Sequence, residues 1–408
     1  MASDILFLLT GFCLVILIGF ISESIFNKTH IPDILILFLI GILIGPILKW
    51  ISPDSFIGFA PIFVTLALTL ILFSGGINIK LDDFLKGATK GSILSSVYFL
   101  SSVTIVTLVM IFFKYPIELG ILLGAILGGT SSAVVIPVLK LLKINAKTSI
   151  ILTLESALTD VYCIVGAITV LQIIKTSTLH VTNIILGLLG TFAISIIIGA
   201  LSAVVWSYAK RKIPAIEKAY MVTLAVIVLI YIIGEAVHGN GAITILSFAI
   251  VLGNIKKVFS FLGKDSEYNL TPSEKNFFSE ISFFLKVFFF VYLGIMINFS
   301  ELYLLIIGFI IAVLVALVRP FVVKLTIKNL KDLTMREKYI MSLMSPKGLA
   351  AAALVQIILT SPELNKYSHA SDLAQITLSV IFFSILINSV LVMITEKKYP
   401  ASINENKQ

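Results

Sequence analysis

The chain has 408 residues, of which 58% are hydrophobic and 13% charged. A soluble globular protein carries about 25% charged residues. A soluble fold with an oversized core is therefore excluded, and a membrane solvent is implied, because lipid-facing surface must be as apolar as the interior. The net charge of +8 does not mark a nucleic-acid binder, because the basic residues stand between long apolar runs, where a positive-inside bias places them.

Apolar stretches of about 17–25 residues, bounded by Lys, Arg, Asp, Asn, Gly or Pro, predict thirteen spans. They cover 5–26, 34–50, 61–78, 91–113, 117–139, 150–174, 183–209, 219–237, 241–255, 278–299, 301–323, 338–360 and 373–394. The first lacks a basic leader and reads as a span, not as a cleavable signal. The ninth is short, and a tilted helix packed among others accommodates it. Cys13 and Cys163 lie inside apolar runs, so neither a disulfide framework nor a CxxC metal site is expected.

Thirteen spans put alternate loops on one side. Loops 27–33, 79–90, 140–149, 210–218, 256–277, 324–338 and 395–408 hold about 23 of the 30 Lys and Arg residues. The other side holds Lys49, Lys114, Lys175 and Lys366. The N-terminus is predicted outside and the C-terminus in the cytoplasm. The segment from Lys256 to Phe277 reads as a solvated connector, and the tail from Glu396 to Gln408 as short and polar. No soluble regulatory domain is expected.

Ionisable groups deep in a bilayer are costly and are functional candidates. Of those within the spans, Glu155, Asp160, Glu235, Lys286, Arg319 and Lys347 stand out. Counted from the start of the sixth span, Glu155 lies about 8 Å in and Asp160 about 15 Å in, near the midplane. Five positions of separation turn the two acids about 140° apart, so they face different partners. Arg319 falls at the depth of Glu155, and its planar fork suits a carboxylate. A Glu155–Arg319 pair is expected, with two readings open: a purely structural bond, or direct ion ligation by Glu155. Asp160 has no cation at its depth except Lys347. Such a carboxyl must be neutralised by a proton or a cation, as a proton-coupled site requires. The competing reading is a carboxyl kept neutral by a Ser or Thr hydroxyl.

Two spans carry helix breakers at matching places. The fifth reads Gly124-Ala125-Ile126-Leu127-Gly128-Gly129-Thr130-Ser131-Ser132, followed by Pro137. The twelfth reads Met344-Ser345-Pro346-Lys347-Gly348-Leu349. Unwound backbone at mid-membrane frees carbonyls and half-helix ends to bind ions. Each is the fifth span of a six-helix half, if spans 1–6 and 8–13 are inverted repeats around the seventh. The expected fold is an all-α membrane protein of about thirteen transmembrane helices. It comprises two inverted six-helix repeats whose broken helices cross at the ion site. Lys347, inside the second interruption, either neutralises two half-helix C-terminal ends or pairs with an acid. Lys286 reads as a snorkelling side chain, Glu235 and His238 as interfacial, and His30 and His180 as loop residues.

On these residues the chain resembles the NhaP/NHE-type monovalent cation:proton antiporters over nearly its whole length. The resemblance rests on Leu72-Phe73-Ser74-Gly75-Gly76-Ile77, Thr130–Pro137, Glu155–Asp160, Arg319-Pro320 and Ser345-Pro346-Lys347-Gly348-Leu349. It implies a homodimer, with one bundle (mainly helices 1–3 and 8–10) dimerising. A core bundle (mainly helices 4–6 and 11–13) carries the ion by an elevator-like movement. It implies that Asp160 binds ion and proton in alternation, that Thr130, Glu155 and Ser156 line the site, and that Arg319 steadies the glutamate. The expected ion- and proton-binding set is Thr130, Ser131, Glu155, Ser156, Thr159 and Asp160, with Asp160, Ser156 and Thr130 on the cation. The chain departs from the family where Ser131 replaces a frequent Asp, Thr159 an Asn or Asp, Ser74 a Glu and Lys347 an Arg. Fewer acids make a softer, hydroxyl-rich site. Sodium is the first reading of the ion and potassium the alternative.

One exchanging carboxylate trades one proton for one monovalent cation, so electroneutral 1:1 exchange is expected. No cofactor is expected beyond the transported Na+, Li+ or K+, and the partners are membrane lipid and a second copy of the chain. A sodium-coupled organic-anion symporter would need more polar groups around a substrate cavity. A membrane-embedded enzyme would need a cluster such as HExxH, and the four His residues are not so spaced.

Overall fold

The computed structural model describes residues 2–29, 33–52, 60–142, 144–176, 181–212, 219–261, 263, 270–327, 333–361, 364 and 367–398. His30, His180, most of the 262–269 stretch and the tail from 399 onward lie outside the described residues. In chain order the helices are α1 (Ala2–Thr29), α2 (Asp33–Ile42, continued by a π turn over Leu43–Ile47), α3 (Ala60–Gly76), α4 (Leu81–Phe112) and α5 (Ile117–Ile126). Next come α6 (Ser132–Leu141), α7 (Ala146–Thr176), α8 (Val181–Lys212), α9 (Ala219–Ala236), α10 (Gly241–Gly253) and α11 (Ile255–Phe261). The last five are α12 (Pro272–Ile295), α13 (Leu302–Thr326), α14 (Met335–Leu343), α15 (Leu349–Thr360) and α16 (Asp372–Lys398). No strand occurs among the described residues.

Each predicted apolar stretch falls on a helix or on a broken helix pair. By length and apolar composition, 6 described helices can cross a membrane, or up to 7 if the bent pair α10–α11 counts as one span. Shorter apolar helices make up much of the rest. The polar boundaries differ from expectation. α4 begins at Leu81, about three turns before the apolar run, and α12 begins at Pro272. Helices continue past the apolar core because polar side chains extend them at no solvation cost in the interface. The connector from Lys256 is partly helical too: α11 turns 78° from α10 and buries Ile255 and Phe259.

Sequence chemistry explains the ends. Pro272 opens α12, a position where its missing N–H is no loss. Asn240 caps α10 by accepting from the Ile243 N–H at 3.1 Å. Thr334 and Glu337 form a capping box at α14.

Two compact units make up the chain. The first takes Met1–Ala60, Gly87–Thr176 and Val287–Gln408. Within it, α2 and the end of α12 touch backbone to backbone. A Cβ on Gly41 would lie 2.1 Å from the Val291 carbonyl oxygen, and one on Gly294 would lie 2.2 Å from that of Phe38. At the end of this unit where α7 and α14 begin, polar side chains join α7, α14 and α16 and the residue after α6. Arg336 donates to the Leu142 carbonyl at 3.1 Å and to Glu396 at 2.7 Å. Thr148 donates to Glu337 at 3.2 Å. At the opposite end, Tyr115 donates to Asp372 at 2.8 Å, and His369 lies 3.2 Å from the same carboxylate oxygen.

The second unit takes Pro61–Lys86 and Ser177–Lys286. In it α8 packs on α10, the Ser247 hydroxyl donating to the Ile196 carbonyl at 2.9 Å. Phe73 packs on Phe248 and Phe278. Asn254 fastens the α3–α4 turn, donating to the Ile79 carbonyl at 2.7 Å and accepting from the Leu81 N–H at 2.8 Å. Glu235 accepts from the Gly241 N–H at 2.7 Å, which places it at the start of α10. His238 occupies the preceding turn with φ of 59°.

Candidate functional site

The site belongs to the first unit and is built on two interrupted helices. α5 stops at Ile126 and α6 starts at Ser132. Between them lie Gly128 and Gly129, which weaken a helix by their backbone freedom. α14 stops at Leu343 and α15 starts at Leu349. There Pro346 cannot donate, and it pushes the residue before it out of helical geometry. The two unwound segments meet: the Ser131 N–H donates to the Pro346 carbonyl at 2.7 Å. Gly348 is the closest approach, where a Cβ would come 2.1 Å from the Ser131 hydroxyl oxygen.

α7 runs unbroken beside the first break and contributes Glu155, Ser156, Thr159 and Asp160, all buried. Arg319 reaches Glu155 with both terminal nitrogens, Nη2 at 2.6 Å from Oε2 and Nη1 on Oε1. Its Nε donates to the Met341 carbonyl at 3.0 Å, and its guanidinium lies 4.6 Å from the centre of the Tyr98 ring. The charge of Glu155 is thereby met on both oxygens. Asp160 lies apart from this pair. Its Oδ2 accepts from the Ser132 hydroxyl at 2.9 Å, and among the described residues Ser132 is its one hydrogen-bond partner.

Lys347 points into the first break. Its Nζ donates to the Gly129 carbonyl at 2.8 Å and to the Tyr98 hydroxyl at 2.9 Å, and its backbone N–H donates to Ser384 at 2.9 Å. The ammonium is thus taken up by a carbonyl and a phenol and forms no ion pair with Asp160. The threonines join α7 to the break: the Thr130 N–H donates to the Thr159 hydroxyl at 3.1 Å, and their hydroxyls stand 3.4 Å apart. Ser156 donates to the carbonyl of Thr153 on its own helix at 3.0 Å.

A family profile described as "Sodium/hydrogen exchanger, transmembrane" matches residues 13–397. The chain belongs to the sodium/hydrogen exchanger family.

Relatives of this exchanger include the Na(+)/H(+) antiporter 1 of Methanocaldococcus jannaschii, 27% identical, the match covering 93% of this chain and 91% of the relative. The K(+)/H(+) antiporter NhaP2 of Shewanella sp. (strain ANA-3) is 24% identical over 56% of this chain and 40% of its own length. Among solved structures, the sodium proton antiporter MjNhaP1 from M. jannaschii at pH 8 superposes with a TM-score of 0.79. It covers 94% of this chain and 95% of that one at 24% identity, a likeness that speaks for the fold. The exchanger is thus a multi-pass, all-helical membrane protein.

Of the residues singled out in sequence, the structure brings together Glu155 with Arg319, and Thr130 with Thr159. Asp160 and Lys347 stand at the same break on different partners. Ser131 does not reach Asp160: its hydroxyl faces Gly348 and is buried without a hydrogen-bond partner among the described residues. The hydroxyl on Asp160 is that of the next residue, Ser132. Tyr98 and Ser384 also belong to the site without having stood out in sequence. A phenol in the middle of an apolar span was the available signal for Tyr98, since a buried hydroxyl there needs a partner.

Proposed function

We propose that this exchanger trades a monovalent cation for a proton, with Asp160 holding each in turn. The observation that carries this is the contrast between two buried acids five residues apart. Glu155 has both oxygens on Arg319, whereas Asp160, among the described residues, meets no cationic side chain and accepts from one hydroxyl. A carboxylate in low dielectric requires a neutralising partner, and here the partners on offer are the proton and the transported ion. One such carboxylate supports electroneutral 1:1 exchange. Thr130 and Ser156 supply further oxygens, and Ser131 and Thr159 shape the break around them.

Sodium is the first choice of ion, supported by the name of the M. jannaschii relative. Potassium is the alternative, supported by the name of the Shewanella relative and by hydroxyls at Ser131 and Ser132. The protein is a transporter and not an enzyme, and needs no cofactor. It works as a homodimer in the cell membrane, N-terminus outside and C-terminus cytoplasmic, an orientation supported by the segregation of Lys and Arg among the loops. The dimerising bundle is mainly spans 1–3 and 8–10, and the ion-carrying core mainly 4–6 and 11–13.

The test is exchange in proteoliposomes. Wild type should move Na+ or K+ against a proton gradient, at a rate changed less than about twofold by an imposed membrane potential of about 100 mV. An electrogenic cycle would feel about 2.3 kcal/mol per charge at that potential. Asp160→Asn should abolish exchange. Exchange retained by that variant overturns the site, and strong voltage dependence overturns the stoichiometry.

A further inference from the structure

We propose that Ser132 supplies an oxygen ligand to the transported cation beside Asp160. This rests on the reading of Asp160 as the exchanging carboxylate. Ser132 is the first residue of α6, so the start of that helix fixes its place. The preceding residue is tied to the second break through the Ser131–Pro346 hydrogen bond. The Ser132 hydroxyl donates to Oδ2 of Asp160 at 2.9 Å. A hydroxyl has one donor and two lone pairs. Donating to Asp160 therefore leaves its oxygen able to accept a cation while the hydrogen bond stays intact.

The neighbouring hydroxyls are committed differently. That of Thr159 donates to the Ser156 carbonyl at 3.2 Å and stands 3.4 Å from that of Thr130, and that of Ser156 donates to the Thr153 carbonyl on its own helix. All three residues are buried, as is Ser131, whose hydroxyl is turned to Gly348. Ser132 alone among them touches the carboxylate, and it is only half-buried. A cation arriving at Asp160 meets this oxygen beside the carboxyl. Once Asp160 holds the proton instead, the same oxygen accepts from the acid, so Ser132 serves both halves of the cycle.

The experiment measures the apparent KM and Vmax for Na+ and K+ in proteoliposomes holding wild type, Ser132→Ala, Ser132→Cys, Ser132→Thr and Asp160→Asn. Cation-induced thermal stabilisation of the purified proteins is read in parallel. Ser132→Ala and Ser132→Cys should raise the cation KM about tenfold, a larger change than in Vmax. Cation-induced stabilisation should shrink to match. Ser132→Thr, which keeps the oxygen, should restore the wild-type KM. A wild-type KM in either the Ala or the Cys variant overturns the proposal, as does a Thr variant as impaired as Ala, which would mark a packing role. If Asp160→Asn is dead and Ser132→Ala keeps a wild-type KM, only the role of Ser132 fails. If Asp160→Asn exchanges normally, the reading of Asp160 itself fails.

Discussion

Replacing Arg319 with Gln removes one partner of a bond in which neither side chain sees solvent: Arg319 is 0% exposed and Glu155 1%. Breaking a buried pair from one side costs about 3–5 kcal/mol, because the remaining charge is left uncompensated. The lost hydrogen bond to the Met341 carbonyl adds about 1 kcal/mol, and the lost guanidinium contact with Tyr98 about 1 kcal/mol. The single variant should therefore lose about 5 kcal/mol or more. The double variant Glu155→Gln/Arg319→Gln leaves two neutral amides able to hydrogen-bond each other, and should lose only about 2 kcal/mol. Equilibrium unfolding in mixed detergent–lipid micelles, followed for wild type, both singles and the double, yields the coupling. A double variant as damaged as the sum of the singles would refute the reasoning. So would an Arg319→Gln protein within about 1 kcal/mol of wild type, well below the range for a broken buried pair.

Gly348→Ala should collapse the yield of folded protein, since its Cβ would come 2.1 Å from the Ser131 hydroxyl oxygen and 2.6 Å from the Ser131 Cβ. Size-exclusion profiles of Gly348→Ala/Ser131→Gly should show recovery, whereas Ser131→Ala, which keeps the Cβ, should not rescue. Lys347→Met leaves the Gly129 carbonyl and the Tyr98 hydroxyl without their donor and should lower stability by about 2–3 kcal/mol; a melting curve equal to wild type would count against that role. Burial and the hydrogen bond to Asp372 push the Tyr115 hydroxyl above its ordinary value. Its contribution is full below the unfolded value of about 10 and is lost as pH rises through the folded one. Wild type should accordingly lose stability above about pH 10 more steeply than Tyr115→Phe, as read from unfolding at a series of alkaline pH values.

The helices were legible because a membrane imposes one solvent along each span, and an apolar run of that length fits few environments except a bilayer. Their ends were not, since the stretch from Leu81 to Lys90 is helical and yet polar, and an apolar count passes over it. The breaks were legible from Gly128, Gly129 and Pro346, residues whose backbone chemistry opposes a helix. The register inside the first break was not. Whether Ser131 or Ser132 faces the carboxylate depends on where α6 restarts, and an unwound backbone has no period to count by. Rise per residue sets Glu155 and Arg319 at one depth, and the structure has them in contact. Tyr98, on a helix far away in sequence, had no such ruler.

The carbonyls released where α5 and α14 unwind are not one common reservoir for an ion. The oxygen of Gly129 is claimed by the Lys347 ammonium, that of Pro346 by the Ser131 amide, and that of Met341 by Arg319. Two of these oxygens are thus held by fixed cationic side chains and one by a backbone amide. On the proposed reading of Asp160, a cation there finds these three oxygens occupied, which gives the placement of side-chain hydroxyls more weight in which ion is taken.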